Sequence, residues 1–135
     1  MKEPLGGAGS PWLVAGEGLP EDVRDLIVRH IDSISKLEIL LLLGRHPDVS
    51  PEGVASELRM APQPVRERLD ELVKSRLAAR DGDRYRLREQ SLQPLVDRLA
   101  DSYAKRRVSV VEFVISRPSD SLSTFSDAFK FRRKK

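Results

Sequence analysis

The sequence contains no cysteine, which excludes a disulfide framework, a thiolate metal centre and a cysteine nucleophile, and fits a reducing compartment. Long apolar runs are missing as well. The longest, Ile39 to Leu43, falls far short of the ~20 residues that a membrane-spanning helix needs. The N-terminus holds no continuous apolar segment leading to a signal-peptidase site, so the expectation is a cytoplasmic protein with no membrane partner. There is no glycine-rich phosphate loop and no nucleophilic serine elbow, and nothing sets a pair of carboxylates apart from those on solvent faces. These gaps speak against an enzyme and call for no cofactor. The two histidines, His30 and His46, lack further ligands at metal-binding spacing. His30 falls on an apolar helix face and reads as a hydrogen-bonded core histidine.

What the chain does have is charge and helical period. Its 135 residues give room for one domain plus tails, and 33% of them are charged, above the roughly 25% usual for a soluble domain. The net charge of +3 comes from the end: Lys130, Arg132, Arg133, Lys134 and Lys135 are five of the 24 basic residues, and without them the body is net −2. Bulk charge therefore gives little reason to expect a polyanionic partner, and any such argument rests on local arrangement.

Residues 1–20 hold five glycines and three prolines and read as a disordered segment, with Trp12 and Leu13 as a small anchor if they dock at all. A helical stripe of Val23, Leu26, Ile27, Ile31, Ile34, Leu37 and Leu41 follows, as one helix or two collinear ones. A break is expected at residues 32–35, where Ser35 and Glu38 have the form of a capping box. Ser50-Pro51 opens a second helix to about Leu58, Arg59-Met60-Ala61 is a turn, and Pro62 opens a third helix running to about Arg76. Two short extended segments flank Asp81-Gly82-Asp83, a hairpin signal. From Leu92 a long helix is expected to about residue 117, with Arg106 and Arg107 on its apolar stripe and one of them meeting a carboxylate such as Glu38 or Glu112. A last short helix would gather Leu122, Phe125 and Phe129 before the basic tail.

Three helices, the second and third joined by a three-residue turn and followed at once by a β-hairpin, define a mainly α winged helix-turn-helix order. The domain is expected over residues 21–90, with C-terminal helices over 91–131 that complete the core or dimerise, and a basic tail over 132–135. The stretch LEILLLLGRHPDVSPEGVASELRMAPQPVRERLDELVKSRLAARDGDRYRLR resembles the winged-helix region of MarR-type and related bacterial regulators. LADSYAKRRVSVVEFVISRP and FSDAFKFRRKK are similar to segments that follow the wing in a bacterial group of uncharacterised winged-helix proteins. The resemblance implies a transcription regulator that puts the helix from Pro62 into the major groove of double-stranded DNA and the hairpin on the adjacent backbone or minor groove. The chain departs from the pattern at Ala61, where a capping serine is common, and at Pro64, which offers no donor.

On that reading Gln63, Arg66, Arg84 and Arg86 contact DNA, with Arg59 and Lys74 as phosphate contacts. Arg84 and Arg86 alternate with Tyr85 and Leu87, so period two sends both arginines to solvent. They could equally pair with Asp81, Asp83 or Glu89. Over residues 50–88 nine basic residues stand against seven acids, and Glu67 and Asp70 on the outer side of the third helix would repel a phosphate backbone. The alternative is a winged helix that binds another protein. A homodimer is also expected, through Val108, Val111 and Ile115 on a second apolar side of the long helix, unless the C-terminal segment folds back to cover them.

Overall fold

The structure, a computed structural model, describes residues 18–116; Trp12, the Leu122, Phe125 and Phe129 helix and the basic tail lie outside them. The elements are α1 (Glu21–His30), α2 (Ile34–Arg45), α3 (Pro51–Leu58), α4 (Pro62–Lys74), β1 (Ala78–Asp81), β2 (Arg84–Leu87), a 3-10 turn (Gln90–Leu92), α5 (Gln93–Lys105) and α6 (Arg107–Ser116). The molecule is mainly helical with one small antiparallel sheet, an order consistent with a winged-helix layout. No described helix is long and apolar enough to cross a membrane.

The helix α2 is apolar on every side, and Leu37, Ile39, Leu40, Leu41, Leu42 and Leu43 are all buried. A helix of this kind is stable only when neighbours cover its whole circumference. Here α3, α4, α5 and β2 do so. One cation shares that interior: Lys36 is 5% exposed, and its Nζ lies 3.1 Å from Asp32 Oδ1 and 2.8 Å from Glu71 Oε1. The Glu71 contact is an ion pair rather than an aligned hydrogen bond, since that buried oxygen accepts none. Two carboxylates offset the desolvation of the ammonium, which unpaired would cost several kcal/mol. Lys36 stands one and two turns before Leu40 and Leu43, on a face of α2 that its neighbours cover.

Several boundaries differ from expectation. Leu19, inside the segment read as disordered, is buried in the core. The break between the first helices is capped by Ser33, whose Oγ accepts from Lys36 N at 3.1 Å, and not by Ser35. Starting at Ser33 brings Leu37 into the first turns through its bond to Ser33 O and turns Lys36 inward. His30 is half-buried and its imidazole makes no hydrogen bond among the described residues; burial, then Arg29, pushes that imidazole below the usual 6.5. The third helix stops at Lys74, short of Arg76.

The long C-terminal helix is two helices. Arg106 leaves helical geometry (φ −134°, ψ 52°), although nothing in Lys105-Arg106-Arg107 breaks a helix by propensity. The break lets α6 change direction and press Val110, Phe113 and Val114 into the core beside α1 and α5. Arg107 meets no carboxylate directly among the described residues. Its guanidinium lies 4.3 Å from the Tyr103 ring centroid, and Tyr103 Oη donates to Glu38 Oε2 at 2.9 Å. Val108 and Ile115 are 69% and 74% exposed, whereas Val111 between them is partly buried against the core, so the second apolar side is open at its two ends among the described residues.

The turns that follow α3 and α4 each hold an arginine in left-handed geometry: Arg59, the C-cap of α3, at φ 58°, and Arg76, two residues past the end of α4, at φ 67°. The reversed turns are held by Met60 N to Ala55 O at 2.9 Å, and by Arg76 N to Val73 O and Leu77 N to Leu72 O, both at 3.0 Å. Glycine suits these positions, because a Cβ in this region costs about 1–2 kcal/mol. Arg59→Gly and Arg76→Gly should each raise the free energy of unfolding by about 0.5–1 kcal/mol in urea titrations, with no change in the slope.

Candidate nucleic-acid interface

The α3–turn–α4 unit is built from its ends. Ser50 Oγ accepts from Gly53 N at 3.0 Å and Pro51 takes the first helical position, which starts α3 sharply. After the three-residue turn that follows Leu58, α4 opens at Pro62, with no side-chain cap from Ala61. Pro62 and Pro64 remove two of the amides that a helix start would otherwise present. Val65, Leu69 and Leu72 are buried, and the opposite side of α4 faces out.

That outward side neutralises itself. Gln63 Nε2 donates to Glu67 Oε2 at 3.4 Å, and Arg66 reaches back to Glu52 of α3 at 2.5 Å. Lys74 and Arg59 are exposed at the two ends, with no ion pair among the described residues. Asp70 does not project freely. It accepts from Tyr85 Oη at 2.7 Å and lies 3.7 Å from Arg80 Nη1, while the Arg80 guanidinium sits 5.5 Å from the Tyr85 ring centroid. One of the two acids on this side of α4 is thereby consumed in fastening the hairpin to the helix.

The hairpin pairs Ala78 with Leu87, Ala79 with Arg86, Arg80 with Tyr85 and Asp81 with Arg84. Its turn is Gly82-Asp83, with φ +64° at Gly82, the glycine-first form of a two-residue hairpin; Asp81 belongs to the strand. On the far edge of β2, Val49 exchanges both backbone hydrogen bonds with Tyr85 at 2.8 Å, so the sheet gains a one-residue third rung from the α2–α3 loop. Period two then divides the side chains. Tyr85 and Arg80 turn toward α4, whereas Arg84 and Arg86 turn away from it. Arg84 pairs with Asp48 in the α2–α3 loop, not with Asp81, Asp83 or Glu89. Arg86 is exposed, without an ion pair among the described residues, and lines a hollow beside that loop.

The six expected residues therefore form two groups. Gln63, Arg66, Arg59 and Lys74 belong to the α3–α4 surface, while Arg84 and Arg86 belong to the outer face of the sheet. Sequence reading missed Glu52, Asp48 and the Tyr85–Asp70 bond. Only the last carried a local signal, a tyrosine at an inward strand position, where a buried hydroxyl must find a partner.

Tyr85 is 1% exposed, and burial, followed by the bond to Asp70, holds its hydroxyl above the ordinary 10.0. Tyr103 shifts the same way for the same reasons, with Glu38 as partner. The unfolded chain ionises first, so the stability these groups contribute is full below about pH 10 and is lost as pH rises through the folded values. Tyr85→Phe should cost about 1 kcal/mol at pH 7 and flatten the loss of melting temperature above pH 10, leaving the Tyr103 share. The reading of this surface rests on its geometry, for the chain matches no protein-family model, no curated protein and no solved structure.

Proposed function

We propose that the chain is a winged helix-turn-helix module of a cytoplasmic transcription regulator, with α4 as the helix that enters the major groove of duplex DNA. The observation that carries this reading is the outward side of α4. It is released from core duty, reached through a three-residue turn, and flanked by arginines held in backbone geometry that glycine would occupy at lower cost. Strain kept at an exposed cation is more easily understood if the cation has a partner outside the molecule.

The internal ion pairs do not oppose this. Arg66–Glu52 and Arg84–Asp48 are both solvent-exposed pairs, worth at most about 1 kcal/mol, so a phosphate can displace the carboxylate at small cost. Arg59 and Lys74 then serve as phosphate contacts, Gln63 and Arg66 as base contacts, and Arg84 and Arg86 as contacts along the outer side of the wing. The rival reading is a protein-binding module that uses the same surface.

A salt titration with mixed-sequence duplex separates the two. Affinity should fall steeply with salt, and Arg59→Gly and Lys74→Ala should each reduce the slope of log K against log salt by about 1. Arg59→Gly thus loses DNA affinity while gaining stability. Glu52→Gln should release Arg66 and tighten binding several-fold. No binding at low salt would give the surface to a protein partner.

The same reading takes Val108, Val111 and Ile115 as the contact for a second copy, since a symmetric dimer presents two recognition helices to successive turns of DNA. Sedimentation equilibrium at micromolar concentration should give the mass of two chains, and Ile115→Glu should return it to one without altering the melting temperature of the domain.

A further inference from the structure

We propose that the hollow between the end of α2, the outer face of β2 and the start of α5 is a binding site for a small phosphomonoester. Its volume is about 450 Å³, within the range of small-molecule sites. The polar groups around it are Arg45, His46, Arg86, Arg88, Gln90 and Gln93, and no carboxylate lines it. Two separate segments thus bring their cations to one cleft, Arg45 from the end of α2 and Arg86 and Arg88 from β2 and the residue after it, whereas Arg66, Arg80 and Arg84 stand beside acids.

The supports are rigid. Arg86 hangs from the β ladder opposite Ala79, and Arg88 is pinned by its N–H bond to Leu77 O at 3.0 Å; spacing by two puts both on one face. Neither has an ion pair among the described residues. Arg45 and His46 share one carboxylate, Glu57, which stands outside the hollow at 3.6 Å from Arg45 Nη2 and 3.9 Å from His46 Nε2, an exposed contact that a dianion can displace at small cost. Asp97 accepts from Gln93 Nε2 at 2.9 Å, and Glu89 from Ser91 Oγ at 3.1 Å. The α2 carbonyl that would repel an anion here, Gly44 O, is capped by Gln93 Nε2 at 2.9 Å. The start of α5 carries no acid in its first turn, and its first amide is already bonded to Gln90 O, so the cations alone set the field of the hollow.

A phosphomonoester fits this set because its dianionic head offers three terminal oxygens to guanidinium forks. The volume exceeds what an inorganic anion fills, and Leu43 and Leu87 at the wall can cover an organic substituent. The site does not depend on α4 entering a groove, since its arginines point away from that helix.

The test uses the whole chain without DNA and phenyl phosphate as probe, followed by backbone and arginine side-chain N–H resonances. Expected are saturable shifts centred on Arg45, Arg86 and Arg88, tighter binding of phenyl phosphate than of inorganic phosphate, and none of phenol. Arg86→Ala and Arg88→Ala should each weaken binding about tenfold, Arg86→Lys less, and Lys74→Ala not at all. Shifts that do not saturate, shifts spread over the surface, or equal weakening by Lys74→Ala would overturn the proposal. So would a duplex that moves Arg86 and Arg88 while phenyl phosphate does not, which would assign these cations to polymer phosphate. Absence of duplex binding with phenyl phosphate still bound would overturn the DNA reading and leave this one standing.

Discussion

A helix with apolar side chains all the way round cannot rest at a surface, and the arrangement of this molecule follows from hiding α2. Burying each of its leucines contributes roughly 1.5–3 kcal/mol, so leaving one side open would forfeit several kcal/mol at once. Four elements close around it, each contributing a single apolar stripe and keeping its other side for solvent. The close approach of α5 is set at Gly44, where a Cβ would come within 2.5 Å of Val96 Cγ1. The one cation in this interior, Lys36, ties α2 to α4 through Glu71, so the helix that carries the outward surface is anchored by charge as well as by Leu69 and Leu72.

The second organising feature is the bond between Tyr85 and Asp70. It joins strand to helix across fifteen positions of sequence, and with Arg80 it makes α4 and the hairpin one body. It also changes the electrostatics of the outward side, because a carboxylate that would stand against any anionic partner is turned into an internal acceptor. What remains exposed on α4 is a short mixed row in which Arg66 and Glu67 already have partners, with cations left at its ends.

Much of the architecture was legible from local chemistry. Ser50 with Pro51, and Pro62 after a three-residue turn, mark the starts of α3 and α4 because cap and proline chemistry act within a few residues. The alternation in β2 put Tyr85 and Leu87 inward, since strand period needs no tertiary information. The interruption at Arg106 was not legible: its residues favour helix, and only the need to bring Phe113 and Val114 against α1 breaks it. The same limit applies to the candidate surface. Which residues project from α4 follows from a helical wheel, but Arg84–Asp48 and Arg66–Glu52 span 36 and 14 positions, and no local pattern assigns such partners. Period two also says that Arg84 and Arg86 share a face, without saying that this face looks away from α4.

The tip of the hairpin carries its own consequence. Asp81 and Asp83 flank Gly82 at the far end of two four-residue strands, all three exposed, and neither acid has an ion pair among the described residues. Arg80 Nε donates to Gly82 O at 2.8 Å, so a guanidinium lies against the same turn and the outermost point of the sheet carries both signs. Whatever approaches end-on meets two open carboxylates next to a guanidinium that is already holding the turn, so the tip presents paired charges within one loop rather than a field of one sign.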